Sequence, residues 1–256
     1  MISITRKSLL YKSGVEYADY SLNHVEGCSH GCRYPCYAYL MKKRCGIIKT
    51  YEEWCNPKIV NNALELLSKE IPKLRNVIDN VHLCFTTDPF MYKQNEVNAL
   101  SLEIIETLNA SNIRCNILTK GIYPSGLADM TLYSHKNEYG ITLVSLDENF
   151  RKEYEPNTAP FVDRIAALRH LHDKGAKTWV SIEPYPTPNF IQQDLLKLLQ
   201  SVSFVDKIIF GALNYNSKTS AFKHKKEFYK SCVKSVIGFC KKNKIKYHIK
   251  NRINII

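Results

Sequence analysis

Nowhere in the chain does an uncharged apolar run approach the ~20 residues that cross a bilayer. Residues 1–7 also lack the apolar stretch of a secretory signal. A soluble, cytoplasmic protein is the expectation. Equally absent are Gly/Ser-rich linkers and low-complexity tracts, which excludes a string of tethered modules. At 256 residues, 45% hydrophobic and 23% charged, the chain reads as one domain over residues 1–256, a size at which α/β barrels run undivided.

Acid is nearly missing from the C-terminal part. Residues 218–256 hold twelve Lys and Arg, from Lys218 to Arg252, against Glu227 alone, which makes +11 of the net +12. Such a field attracts polyanions, nucleic acid among them, in a salt-dependent way. The plain alternative is a solvated helix whose lysines serve solubility. Nine cysteines in a chain with no secretory signal point to thiols or metal ligands, not to a disulfide framework.

What is present alternates β-rich runs with helical stretches. Strands are expected at residues 18–23, 81–87, 114–120, 139–145, 177–182, 207–213 and 246–250. One helix is expected to open at Asn56-Pro57, carry Ile59, Val60, Ala63, Leu64, Leu66 and Leu67 on a stripe, and stop at Pro72. Others cover residues 96–110 and 160–174, the latter closed by Gly175. Strands joined by crossover helices require a parallel sheet. The expected fold is therefore α/β, a partial or complete parallel (β/α) barrel of about six to seven strands. Its chemistry belongs in the loops after the strands.

The loop after the first strand holds Cys28, Cys32 and Cys36 within nine residues. Thiolates are preferred ligands of iron-sulfur clusters and zinc. Three cysteines on a cubane leave one iron open to a substrate or cofactor. The alternatives are a zinc site completed by His24 or His30, and ordinary free cysteines. The other six cysteines, at 45, 55, 84, 115, 232 and 240, show no such pattern and read mostly as packing residues.

The sequence resembles the radical SAM superfamily, in particular its spore photoproduct lyase-like branch. The resemblance rests on Gly-Cys-Ser-His-Gly-Cys and Cys-Tyr-Ala within 27–38, Thr86-Thr87-Asp88-Pro89-Phe90 with Glu96, and Ile117-Leu118-Thr119-Lys120. It continues with Val144-Ser145-Leu146-Asp147, Glu155-Pro156, Arg164-Ile165, and Ser181-Ile182-Glu183-Pro184 after Gly175, in family order over roughly residues 15–190. One departure is plain: the family spacing is Cys-x3-Cys-x2-Cys, and here Pro35 makes it Cys-x3-Cys-x3-Cys. A rigid kink that keeps the ligand set and a loss of the cluster are the competing outcomes.

The resemblance implies a [4Fe-4S] cluster on Cys28, Cys32 and Cys36, with S-adenosylmethionine chelating the open iron. It places Thr87 and Asp88 near the methionyl amino group, Lys120 at the methionyl carboxylate, Ser145 at the ribose and Tyr34 against the adenine. Glu183 is expected to contact cofactor or substrate. Arg164 either pairs with Glu155 or reaches the cofactor, and His30 either orients the loop or lies on the surface. Reductive cleavage of the cofactor, driven by an external electron donor such as flavodoxin or ferredoxin, and hydrogen abstraction from a substrate are the implied chemistry. In the lyase branch a cysteine stands three residues before the motif aspartate; here that position is Phe85, with Cys84 one residue earlier and expected in the core. The competing class is a non-catalytic nucleic-acid-binding protein with a structural metal centre.

Overall fold

A computed structural model describes residues 1–14, 18–74 and 76–250. Arg252 and the rest of 251–256, the end of the basic segment, lie outside the described residues, as do residues 15–17 at the start of the resemblance. In chain order the strands are β1 (Ile2–Ile4), β2 (Leu10–Lys12), β3 (Tyr20–Leu22), β4 (Val25–Glu26), β5 (Lys58–Val60) and β6 (Asn80–Leu83). β7 (Arg114–Thr119), β8 (Glu138–Thr142), β9 (Lys177–Tyr185), β10 (Lys207–Ala212) and β11 (Lys246–Ile249) follow. The helices are α1 (Tyr37–Arg44), α2 (Tyr51–Cys55), α3 (Ala63–Leu74), α4 (Asn95–Ala110), α5 (Glu148–Tyr154), α6 (Phe161–Asp173), α7 (Leu195–Ser201), α8 (Ser217–Ser220) and α9 (Lys225–Asn243).

β3, β6, β7, β8, β9, β10 and β11 lie side by side in sequence order, every pair parallel. Each of the seven expected strands is one of these. An eighth strand, β2, pairs antiparallel with the edge of β3. Among the described residues β2 and β11 are the two edges and do not pair with each other. Parallel strands in chain order need crossovers of one hand, which gathers the helices on one side. The central strands are buried along almost their whole length, β6 entirely. Burial on both faces is expected of parallel strands, and here it also takes in the polar Asn80, His82 and Asn116, two of which, His82 and Asn116, hydrogen-bond each other at 3.2 Å. No helix among the described residues is long and apolar enough to cross a membrane.

The helix expected from residue 56 begins later. Lys58–Val60 is β5, parallel to β1 and antiparallel to β4. The β-branched pair Ile59-Val60 is taken by that sheet, and α3 starts at Ala63. Pro72 does not stop it: it lies in the last turn, where one lost hydrogen bond is tolerated, and the helix runs on to Leu74. α6 and its closing Gly175, at φ +91, are as expected. The basic segment is built into the fold: α9 buries Tyr229, Cys232, Val236 and Cys240 at helical spacing and turns Lys226, Lys230, Lys234 and Lys241 outward.

Candidate iron-sulfur and nucleoside site

The cysteine loop leaves β4 through Gly27 at φ +86, where a Cβ would lie 2.7 Å from the Trp54 carbonyl oxygen. That carbonyl accepts the Cys28 N–H at 2.8 Å, and the Tyr51 hydroxyl donates to the Cys32 carbonyl at 2.6 Å. From the other side the Arg33 N–H reaches the Tyr154 carbonyl at 2.8 Å, while Asn157 donates through its backbone to the His30 carbonyl and through Nδ2 to that of Ser29. The loop is thus clamped between α2 and the α5–α6 connection.

Pro35 falls in the turn before α1 and leaves Cys36 as the extended N-cap of that helix. A residue preceding proline is kept out of the helical region, so the insertion delays the helix by one residue and does not extend it backward. A helix N-terminus is a favourable place for a thiolate. All three thiols are partly buried and unpaired. Burial raises the Cys28 thiol, and Asp88, Cys32 and Cys36 raise it further. Cys32 is pushed up to about 12 by burial, against the pull of Lys120. The Cys32 and Cys36 sulfurs lie close enough to oppose ionisation of Cys28, with the Lys120 ammonium beside Cys32, and a cationic iron-sulfur core would relieve that repulsion. Among the described residues no three His, Cys, Asp or Glu side chains converge as they would on one metal ion; a cubane offers separate irons, so its thiolates need not meet at a point.

His30 is buried. Its Nε2 accepts the Tyr92 N–H at 3.0 Å, which places the proton on Nδ1, 3.4 Å from Asp88 Oδ2. Burial lowers its pKa to about 4 despite Asp88, so it is neutral at pH 7 and orients the loop. His24 is likewise engaged at both nitrogens, by Ser101 and the Cys84 thiol. Neither imidazole has a nitrogen left to complete a zinc site.

Asp88 lies beside the cysteines, but its carboxylate is taken up by the protein: Oδ1 accepts Phe90 N–H and the Thr119 hydroxyl, and Oδ2 accepts the Lys120 N–H at 2.8 Å. It supports the strand ends. Thr87 Oγ1 is buried without a regular hydrogen bond, and its side chain bears on the Cys84 thiol. Cys84 is a core residue as expected: β6 ends at Leu83, and Cys84 follows it, buried, at a left-handed φ of 56°.

A buried charge network underlies the loop. Lys120 Nζ lies 2.9 Å from Glu155 Oε1 and 3.4 Å from Cys32 Sγ, and it also contacts the Tyr34 hydroxyl. Glu155 Oε2 accepts from Arg164 at 2.8 Å, and the guanidinium donates further to the Thr142 and Ala159 carbonyls. Glu155 and Arg164 have no exposed surface. Burial alone would raise Glu155; Lys120 and Arg164 outweigh it and hold the carboxyl well below its usual range. Arg164 therefore belongs to an ion pair. Tyr34 is 4% exposed, its ring 6.4 Å from that of Phe150 and its hydroxyl on Glu155 and Lys120. Its face is packed within the protein, where the resemblance set it against an adenine.

Ser145 and Glu183 stand further round the same rim, after β8 and in β9. The Ser145 hydroxyl is buried and accepts the Asp147 N–H at 3.0 Å. Glu183 precedes a cis proline and lies flat on Gly211 of β10, where a Cβ would come within 2.5 Å of Glu183 Cδ. Thr87, Lys120, Ser145 and Glu183 thus follow one another over four successive strand ends. Gly211 and the clamp from Asn157 escaped sequence reading, because their partners are distant in the chain.

The sequence model of the radical SAM superfamily matches residues 22–202. The chain belongs to that superfamily. It is an enzyme of a group that uses a [4Fe-4S] cluster with S-adenosylmethionine and generally needs an electron donor. Among relatives, the uncharacterized protein MJ0683 of Methanocaldococcus jannaschii is 25% identical over 226 residues, 88% of this chain and 81% of that protein. The uncharacterized protein ORF301 of Acidianus two-tailed virus is 24% identical over 200 residues, 74% of this chain and 64% of that protein. Spore photoproduct lyase, solved as a mutant with bound AdoMet and dinucleoside spore photoproduct, has the same fold at TM-score 0.70 and 14% identity, covering 97% of this chain and 80% of that one. Streptococcus suis SuiB bound to S-adenosylmethionine matches at TM-score 0.51 and 11% identity over 72% of this radical SAM chain and 43% of its own.

Proposed function

We propose that this radical SAM enzyme holds a [4Fe-4S] cluster through Cys28, Cys32 and Cys36, binds S-adenosylmethionine at the open iron, and abstracts hydrogen from a nucleic-acid substrate. The observation that carries the reading is the gathering of the three thiols on one clamped loop, with the Lys120 ammonium 3.4 Å from Cys32 Sγ. When bound, the pair of cofactors supplies one-electron chemistry: a carbon–sulfur bond of the sulfonium is cleaved, and the nucleoside half removes hydrogen from an unactivated carbon.

The protein's part is placement and exclusion of water. Lys120, 15% exposed at its side chain and with its ammonium held on Glu155, is the cation offered to the methionyl carboxylate. Thr87 has a buried hydroxyl to offer the amino group, and Ser145 a hydroxyl for the ribose. Glu183, braced on Gly211, meets cofactor or substrate. Asp88, His30, Tyr34 and Arg164 hold these groups in place.

Nucleic acid is supported by the lysine stripe of α9, whose first turn lies near the strand ends through the Tyr229 hydroxyl, hydrogen-bonded to the Tyr185 carbonyl at 2.7 Å. The structural relative binds a dinucleoside photoproduct. Phe85, where the lyase branch has its cysteine, argues against the same reaction outcome. Anaerobic reconstitution with iron and sulfide, then assay for 5′-deoxyadenosine under strong reductant, tests the chemistry. A folded, cluster-loaded protein that never yields 5′-deoxyadenosine would remove this reading and favour a nucleic-acid-binding protein with a structural metal centre. A salt series of DNA and RNA binding tests the substrate class, because a slope near zero excludes phosphate contacts by the lysines.

A further inference from the structure

A second basic surface lies directly on the cysteine loop. From Gly27 to Lys49 the chain has no Asp or Glu, but it has Arg33, Lys42, Lys43, Arg44 and Lys49. α1 occupies the middle of this stretch and buries none of its residues. It is held by the Tyr39 ring against Tyr51 and Trp54, at 5.1 and 6.3 Å, and it leaves Tyr37 53% and Leu40 39% exposed. Tyr37, Leu40 and Arg44, at i, i+3 and i+7, share one face, and Ile47, 48% exposed, follows it. An apolar centre with a charged rim is the anatomy of a protein interface.

Position says which protein. Cys36 is the N-cap of α1, so the exposed face begins one residue from a cluster ligand. The proposed reaction needs one electron per turnover from outside, and transfer falls steeply with distance. We infer that the α1 face, centred on Tyr37 and Leu40 and rimmed by Lys43 and Arg44, docks an acidic electron-donor protein carrying a flavin or an iron-sulfur cluster. One electron leaves the reduced donor, oxidising it by one equivalent, and reduces the cluster by one; no proton or atom crosses. Eight residues of helix suit the small, electrostatically steered contacts of such encounters. This inference rests on the proposed function for the electron's destination, but the surface can be tested separately.

The experiment compares the wild type with K43E/R44E and with the neutral K43Q/R44Q, using an acidic flavodoxin as the probe. On cluster-loaded protein, bleaching of the cluster by reduced flavodoxin is expected to slow at least about tenfold in the charge-reversed variant and less in the neutral one. Bleaching by dithionite is expected to stay unchanged. Equal flavodoxin rates in all three proteins, or equal slowing with both reductants, would overturn the inference. Titration of isotope-labelled flavodoxin needs no cluster: the wild type binds at low salt, releases at high salt, and K43E/R44E does not bind. If neither reductant bleaches any colour, the cluster reading fails, and this titration still decides the surface. A duplex DNA that loses affinity in the variant while flavodoxin does not would also overturn the inference, in favour of a nucleic-acid face.

Discussion

Glu155 sits where two cations meet, and its removal would leave both without a counterion in the interior. Removing one partner of a buried ion pair costs ~3–5 kcal/mol, whereas replacing the whole pair by apolar groups is far less damaging. Glu155→Ala is therefore expected to lower the unfolding free energy of the cofactor-free protein by that amount in urea titration. E155L/R164M together should lose clearly less than the sum of the single changes. Sulfur ligation is tested at the same scale. Cys55 is raised by burial and further by the neighbouring Cys36 thiol, so it lies close to the loop, yet the ligand set assigns it no iron. Cys36→Ala should lose iron and the visible absorbance after anaerobic reconstitution, on the order of tenfold or more, and Cys55→Ser should keep both.

Elements place these residues, and the β9–β10 pair shows how finely. Gly211→Ala would push a methyl group into Glu183. Its expected signature is a loss of S-adenosylmethionine affinity, read by equilibrium dialysis, with iron content unchanged; equal affinity in the variant would remove Glu183 from the cofactor's surroundings. At this scale the strands were legible in the sequence, since buried parallel strands are rich in β-branched and aromatic residues even where Asn80, His82 and Asn116 interrupt them. Lys58–Val60 was not, because two flanking strands outbid the local helical stripe. The cysteine loop was legible from spacing alone. Its supports were not: Tyr34 and Glu155 are 121 residues apart, and no periodicity joins them.

For the molecule as a whole, three buried imidazoles set an acid limit. Burial lowers His24 to about 3 and His30 and His82 to about 4, all below the ordinary 6.5. Between about 6.5 and about 4 the unfolded chain takes up protons that the folded chain refuses, so stability is full above that window and falls as the pH drops through it. Each imidazole contributes up to about 1.4 kcal/mol per pH unit. The urea midpoint should fall between pH 7 and pH 5, and His24→Asn should flatten the decline by one proton's worth.

Half of the clamp on the cysteine loop, from Tyr154 and Asn157, comes from far along the chain, whereas Tyr51 and Trp54 supply the other half early. A nascent chain that has not yet released Asn157 from the ribosome holds its three thiols from the α2 side alone. Completion of the proposed metal centre is thereby expected only once well over half of the polypeptide has emerged.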